Sequence, residues 1–166
     1  YRDFWTRFDM TEFAMLLQEP VPKKQLRMDQ SSKEYFKITL DGDYDTKNNV
    51  FGINVQQQGE RFSTFKRDQN PYRASDVNIK LYSLTGETPE LVKSETEYTT
   101  NSFMKSMICR ERTLAAGEYL LEVVINWNAE AEQQREHKDA VVDLICKDDA
   151  GFEMLSKQES LELLKN

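Results

Sequence analysis

Three aspartates stand at every second position in one short stretch of the chain, DGDYDTKNN, which begins at Asp41. Asp41, Asp43 and Asp45 have the spacing of the first three ligands of an EF-hand loop, in which carboxylate oxygens hold a calcium ion. The rest of that motif does not match. Thr46 stands where the sharp turn needs glycine, and Gly52 stands where a bidentate glutamate is needed. The stretch is therefore not an EF-hand.

Two interpretations of this acidic loop (residues 41–49) stay open. In the first, the loop binds calcium weakly and shares the ion with another loop, because calcium takes six to eight oxygen ligands. Asp148 and Asp149 follow the last strand-like segment and are the candidates for the additional carboxylates. In the second, the stretch is a solvated turn, since Asp and Asn side chains hydrogen-bond their own backbone in turns.

A basic stretch with interleaved aromatic residues, RFSTFKRDQNPYR, forms a second candidate site, the basic loop (residues 61–73). Its four cations and single anion give 4 − 1 = +3 in a chain of net charge −7. An anionic lipid surface attracts such residues by about 1 kcal/mol each, and another protein is the alternative partner. The third interpretation is an ordinary long loop whose aromatic residues pack on the core. The candidate residues are Arg61, Phe65, Lys66, Arg67 and Arg73.

The sequence offers no set of residues for covalent catalysis. A cysteine protease needs a thiol nucleophile, a histidine base and a third group that orients the base. His137 is the only histidine, and it lies in the charged stretch NAEAEQQREHKD. Cys109 and Cys146 form no C-x-x-C pair and are interpreted as buried thiols of a cytoplasmic protein, with a disulfide as the less favoured alternative. We therefore expect that this chain is not an enzyme.

Composition narrows the classes of partner. The chain has 166 residues, of which 39% are hydrophobic and 31% charged, as expected for one globular domain. Its acidic balance argues against nucleic acid, because phosphate neutralisation dominates that affinity. No apolar run approaches the roughly 20 residues that span a bilayer, and no signal peptide is visible. Because the chain starts with YRDFW and not with Met, we expect it to be a piece of a longer protein.

Apolar residues alternate along much of the chain, which predicts strands. The clearest case is DVNIKLYSL, where Val77, Ile79 and Leu81 share one face and Asn78 and Lys80 share the other. Short strands separated by polar turns predict a β-sandwich. The predicted strands are residues 34–40, 50–58, 76–84, 91–99, 102–114, 117–127 and 139–149.

Helical spacing occurs at both ends of the chain. Asp9 and Glu12 have the spacing of a capping box, and an i, i+3, i+4 stripe follows at Phe13, Leu16 and Leu17. Two prolines in EPVPKK (residues 19–24) mark a linker. At the other end, residues 152–166 predict a second helix, with an apolar stripe at Leu155, Leu161 and Leu164.

The order of these segments resembles domain III of the calpains, the β-sandwich that follows their cysteine-protease core. EYFKITLDGDYD is similar to the first strand and acidic loop of that domain, and VFGINVQQQGERFSTFKRDQNPYR to its second strand and basic loop. The turn Gly117-Glu118-Tyr119 before an apolar strand fits, and so does AVVDLICKDD as the closing strand. The similarity covers residues 4–149. Aromatic residues near the start resemble the helix that closes the protease core: Phe4, Trp5, Phe8 and Phe13.

The strand pattern and the resemblance together predict an all-β fold. We expect an antiparallel β-sandwich of about seven or eight strands, similar to calpain domain III and flanked by an N-terminal and a C-terminal helix. Residues 1–24 would be a helix and linker from the end of a protease-like core. Residues 25–150 would be the sandwich, and residues 151–166 the second helix.

The resemblance also implies a function. The chain would be a non-catalytic regulatory or scaffolding module of a calpain-like protein, and it would bind the preceding protease-like domain. Calcium and anionic lipid are further candidate ligands. One alternative is a purely structural protein-interaction module in a calpain-like protein that has lost its protease activity. The other is the regulatory fragment of an active calpain-like cysteine endopeptidase.

Overall fold

The computed structural model describes residues 23–29, 31–57, 75–96, 104–109, 113–127, 139–146 and 150–164. The predicted N-terminal helix, the basic loop, His137 and the Asp148–Asp149 pair lie outside the described residues. In the described part, no helix is long and apolar enough to span a membrane.

The described part contains eleven strands and one helix. They are β1 (Lys23–Asp29), β2 (Lys33–Leu40), β3 (Tyr44–Asp45), β4 (Phe51–Gln57), β5 (Asp76–Ser83), β6 (Glu90–Thr96), β7 (Met104–Cys109), β8 (Thr113–Leu114), β9 (Gly117–Asn126), β10 (Asp139–Cys146), β11 (Gly151–Met154) and α1 (Lys157–Leu163).

Nine of these strands form two antiparallel sheets. A four-stranded sheet has the order β1-β10-β4-β7, and a five-stranded sheet has the order β11-β2-β9-β5-β6. Strands β3 and β8 pair separately. Both sheets contribute to one apolar core, in which Phe36 and Ile79 of the larger sheet join Val55 and Val142 of the smaller one. The prediction of an all-β antiparallel fold is confirmed.

The alternation predicted for β5 is confirmed. Val77, Ile79 and Leu81 are at most 3% exposed and belong to the core, whereas Asn78 and Lys80 on the other face are partly exposed. Each strand of a two-layer fold thus has an inner face toward the core and an outer face away from it. This distinction decides where a site can lie.

The end of the chain differs from the prediction of a helix over residues 152–166. Gly151–Met154 form β11, which pairs with β2, and α1 begins only at Lys157. Strand formation lets Phe152 stack on Phe36 at a centroid distance of 5.5 Å, a tertiary contact that helical spacing does not reveal. The helix starts where Ser156 and Glu159 form a reciprocal capping box.

The other end of the described part also differs from the sequence pattern. Strand β1 starts at Lys23, inside the segment assigned to the linker, and pairs with β10 at the edge of the four-stranded sheet. The Lys24 ammonium donates to the carbonyl oxygen of Ala150, just before β11. This bond ties the edges of the two sheets together.

Candidate functional site

The acidic loop is organised around the Asp45 carboxylate. One carboxylate oxygen of Asp45 accepts from the Lys47 backbone N–H at 2.9 Å, and the other accepts from the Asn48 amide at 2.7 Å. Because these two donors stabilise the charged form, they hold the pKa of Asp45 below its usual range. The backbone N–H of Asn49 closes the turn on the Asp45 carbonyl oxygen at 3.1 Å.

Asp43 makes a hydrogen bond outside the acidic loop. Its Oδ1 accepts from the backbone N–H of Ala116 at 2.8 Å, which joins the acidic loop to the turn before β9. Asp41 is exposed. Among the described residues, no three His, Cys, Asp or Glu side chains converge as a metal site. The acidic loop therefore has the bonding of a turn, and the proposed contribution of Asp148 and Asp149 stays a prediction.

The described residues that flank the basic loop are fixed to each other. Gln57 ends β4, and Ser75 precedes β5. The Gln57 side-chain amide donates to the Ser75 carbonyl oxygen at 2.6 Å and accepts from the Ser75 N–H at 2.8 Å. The five basic-loop candidates themselves, Arg61, Phe65, Lys66, Arg67 and Arg73, lie outside the described residues, so their role stays a prediction.

The two cysteines lie in the core and are each 2% exposed, as predicted. Neither forms a disulfide. In the sheet register, Phe51 of β4 pairs with Cys146 of β10 on one side and with Cys109 of β7 on the other. Two strand spacings of about 4.8 Å separate the cysteine Cα atoms by nearly 10 Å, beyond the roughly 7 Å that a disulfide can bridge.

The outer face of the five-stranded sheet, the charged face, is centred on Glu122 of β9. Its carboxylate lies 2.7 Å from the ammonium of Lys33 on β2 and 3.3 Å from that of Lys80 on β5. The Tyr35 hydroxyl also donates to it at 3.1 Å. Four residues further along β2 than Lys33, the Lys37 ammonium lies 3.6 Å from Glu118 of β9 and 2.7 Å from Glu153 of β11.

The charged groups of this face perturb one another. Burial alone would raise the pKa of Glu122, but the hydrogen bond and charge of Lys33, with hydrogen bonds from Tyr35 and Lys80, outweigh it and lower the pKa. The hydrogen bond to Glu122 raises the pKa of Lys33. The charged face is thus paired within itself: Glu122 is 7% exposed, and the side chains of Lys33 and Lys80 beside it are 45% and 41% exposed.

The outer face of the four-stranded sheet, the aliphatic face, has a different composition. Val142 and Leu144 belong to the core, so their neighbours Val141 and Ile145 on β10 point outward, and both are half-buried. Ile108 of β7 also points outward. Gly52 of β4 lies between the two isoleucines, paired with Ile145 on one side and Ile108 on the other.

A row of polar side chains crosses the aliphatic face. Asp143 is 0% exposed and Asn54 1%, although both point away from the core. The two carboxylate oxygens of Asp143 accept from the amides of Gln25 at 2.7 Å and Gln56 at 2.8 Å. The Ser106 hydroxyl donates to Asn54. Both carboxylate oxygens of the buried Asp143 thus have hydrogen-bond donors, as buried charged groups require.

Sequence reasoning missed this face. The apolar residues on both faces of β10, in DAVVDLIC, were a visible signal, because a strand with one solvated face alternates strictly. A charged residue in the middle of such a run was the second signal. The aliphatic face offers apolar area for another protein surface, whereas the ion pairs of Glu122 occupy the centre of the charged face.

Comparisons with known proteins assign no family. No protein-family model and no curated protein matches the sequence. A GH29 fucosidase of Ruminococcus gnavus, solved as a mutant in complex with fucose, is similar in structure at 10% identity and a TM-score of 0.35. That match covers 84% of this chain and 21% of the fucosidase, so the chain spans about a fifth of it. A protein of Sulfurospirillum deleyianum has 8% identity and a TM-score of 0.37, covering 76% of this chain and 99% of that one. Similarity at this level carries no functional argument.

Proposed function

We propose that the chain is a non-catalytic regulatory or scaffolding module of a calpain-like protein, similar to calpain domain III. It binds the neighbouring protease-like domain through the aliphatic face of the four-stranded sheet. The observation that carries this proposal is the difference between the two outer faces. Lys33, Lys80 and Glu122 pair on the charged face, whereas Ile108, Val141 and Ile145 stand on the aliphatic face.

Energetics support a contact on the aliphatic face. Burying apolar surface stabilises a complex by about 25 cal/mol per Å², and the three aliphatic side chains supply such surface. A partner there does not have to desolvate an unpaired charge, because both oxygens of Asp143 already accept hydrogen bonds. On the charged face, a partner would have to desolvate the ammonium groups of Lys33 and Lys80, whose side chains are 45% and 41% exposed, which is costly.

The cysteines support a non-catalytic role. Cys109 and Cys146 are each 2% exposed inside the core, so substrate does not reach their sulfur atoms. We expect that the purified chain does not hydrolyse casein or a fluorogenic peptide, with or without calcium. Cysteine-dependent cleavage that is lost in Cys109→Ser or Cys146→Ser would contradict this proposal.

Two other roles remain as alternatives. The chain could serve as a purely structural interaction module in a calpain-like protein without protease activity, or as the regulatory part of an active calpain-like endopeptidase. A Cys/His/Asn set in the residues of the natural protein that precede Tyr1 would favour the second alternative. Anionic lipid at the basic loop and calcium at the acidic loop are additional ligands within the same proposal.

The docking proposal is tested in the protein at its natural length. A single cysteine replaces Ile145 or Ile108 on the aliphatic face, or Asn78 on the charged face as the control, since Asn78 is also partly exposed. The rate of maleimide labelling is then measured. We expect Ile145→Cys and Ile108→Cys to label at least about tenfold more slowly than Asn78→Cys, which corresponds to about 1.4 kcal/mol of docking. Equal rates at all three positions would overturn the proposal.

A further inference from the structure

We infer that the peptide unit between Asp41 and Gly42 is a site of spontaneous modification, at which the aspartate converts to isoaspartate. The reaction is independent of the proposed function. Three features of the acidic loop lead to it: the identity of these two residues, their exposure without hydrogen bonds, and a contact of Asp43 that the product disturbs.

The reaction takes place within the chain and needs no reactant other than water. The backbone nitrogen of Gly42 attacks the side-chain carboxyl carbon of Asp41. A C–N bond forms, the nitrogen loses its proton, and a carboxyl oxygen leaves as water, which closes a succinimide ring. Water then opens the ring at either carbonyl. Opening at the side-chain carbonyl restores aspartate, whereas opening at the backbone carbonyl gives isoaspartate, in which the main chain runs through Cβ and Cγ.

The sequence selects one peptide unit for this reaction. A side chain on the residue after aspartate shields the attacking nitrogen, and glycine has no such side chain. Of the six glycines in the chain, only Gly42 follows an aspartate, and none follows an asparagine. Asp43 and Asp45 in the same loop are followed by tyrosine and threonine, which are bulky. Ring closure is therefore favoured at residue 41 over its two neighbours.

The fold leaves the two reacting groups exposed. Asp41 and Gly42 lie in the bend directly after β2, and both are exposed. Within the described ranges, the Asp41 carboxylate has no hydrogen-bond donor or cation, and the Gly42 N–H has no backbone acceptor. A Cβ at Gly42 would meet no atom within 4 Å. Neither bonds nor packing therefore resist the backbone rotation that ring closure requires.

The other two aspartates of the loop are held in place. Both carboxylate oxygens of Asp45 accept hydrogen bonds, from the Lys47 N–H and the Asn48 amide. Oδ1 of Asp43 accepts from the Ala116 N–H. A carboxylate that keeps such a bond is not free to turn toward the next backbone nitrogen. The structure thus makes the same selection as the sequence.

The product changes a short connection between two fixed points. Leu40 ends β2, is 3% exposed and pairs with Gly117. Asp43 is bonded to Ala116, the residue next to Gly117, at 2.8 Å. Isoaspartate adds one carbon to the main chain between these two points. We therefore expect the bond between Asp43 and Ala116 to be lost after isomerisation.

The experiment ages the complete 166-residue chain at neutral pH and follows the tryptic peptide of residues 38–47. Electron-transfer fragmentation distinguishes isoaspartate from aspartate at each position, so Asp43 and Asp45 are internal controls in the same peptide. A synthetic peptide of residues 38–47 gives the rate without the fold. Gly42→Ala shields the nitrogen with a methyl group that has room. Asp41→Glu is the second variant, because its longer side chain would have to close a larger ring.

We expect isoaspartate to form at residue 41 of the folded chain at a rate within about tenfold of that in the free peptide. Gly42→Ala should slow the reaction at least about tenfold, which corresponds to about 1.4 kcal/mol in activation free energy. Asp41→Glu should abolish it. The inference is overturned if the free peptide reacts and the folded chain does not, because the fold then protects the site. It is also overturned if Asp43 or Asp45 reacts as fast as Asp41, or if Gly42→Ala has no effect.

The melting temperature tests the consequence at Asp43. Ageing should lower the melting temperature of the parent chain toward that of fresh Asp43→Ala, and aged Gly42→Ala should keep its initial value. In Asp43→Ala the bond to Ala116 is already absent, so ageing should cause a smaller loss there. An equal loss in the parent chain and in Asp43→Ala would overturn the consequence inferred for this contact.

Discussion

The side-chain amide of Gln57 pairs with the backbone of Ser75 through both of its polar atoms. It donates at 2.6 Å to the Ser75 carbonyl oxygen and accepts at 2.8 Å from the Ser75 N–H. Gln57 belongs to the four-stranded sheet, and Ser75 directly precedes a strand of the five-stranded sheet. The Gln57 side chain thus joins the two sheets. It also fixes the end of β4 to the residue before β5, between which residues 58–74 lie in the sequence.

Replacement of Gln57 by methionine tests this contact. The variant keeps the length of the side chain but leaves two buried backbone groups of Ser75 without that partner. We expect a loss of about 1–3 kcal/mol in the free energy of unfolding, measured by urea denaturation. Gln158→Met on the exposed side of α1 is the matched control, with an expected change within about 0.5 kcal/mol. Equal effects of the two variants would mean that the Gln57 contact contributes nothing.

The backbone at position 117 is unfavourable for any residue other than glycine. Its φ is +142°, and a Cβ at this position would lie 2.8 Å from Cγ2 of Thr85. We expect Gly117→Ala to cost about 1–3 kcal/mol, because both the backbone conformation and the contact are unfavourable. In a Thr85→Ser background the clash is absent and only the backbone cost remains, so the loss of melting temperature should be smaller. An identical loss in both backgrounds would show that the clash makes no contribution.

Because of Glu122, the free energy of unfolding should decrease at acidic pH. Since its pKa is lowered in the folded protein, the charged form contributes stability that is present above the usual glutamate range and is lost as pH falls through the folded pKa. We expect the melting temperature to decrease when the pH is lowered below about 4.3, the usual pKa of glutamate. Glu122→Gln should lower the melting temperature at pH 7 and flatten this acidic decline. An unchanged slope in Glu122→Gln would assign the decline to other carboxyl groups.

The acidic loop offers a test of calcium against turn formation. Asp43 holds Ala116, and Asp45 closes its own turn. We expect Asp43→Ala and Asp45→Ala each to lower the melting temperature in calcium-free buffer, because each removes an acceptor of a backbone N–H. If the loop binds calcium through both residues, isothermal titration of the parent chain should give a dissociation constant of about 10⁻⁴–10⁻³ M. Asp43→Asn combined with Asp45→Asn should abolish that binding.

Strands in which apolar and polar residues alternate strictly were predictable from the sequence, whereas short or mostly polar strands were not. Strand β5 was predictable because Val77, Ile79 and Leu81 alternate with polar residues. Strand β1 has only Leu26 and Met28 as apolar residues in its middle, and it is stabilised by pairing with β10, more than a hundred residues away. The two-residue strands β3 and β8 are too short for any period.

The candidate site was predicted in part only. The acidic loop was recognised as a turn or a calcium site because Asp and Asn cluster there. The aliphatic face was not recognised, because it depends on which side of β10 faces the core. The polar residues on this face beside β10 come from three other strands: Gln25, Asn54 and Ser106. The capping box at Ser156 and Glu159 was readable and would have placed the start of α1 correctly.

The pairing of β1 with β10 determines when this protein can fold during its synthesis. Lys23 lies opposite Ile145, so the first described strand must wait for almost the last one before it gains a partner. A ribosome that adds about 5–20 residues per second keeps β1 without its neighbour for several seconds after it is made. During that time, the edge of a future sheet is open to pairing with other chains. A chaperone that covers residues 23–29 until residue 146 has emerged would therefore raise the yield of this protein more than one that acts on the finished chain.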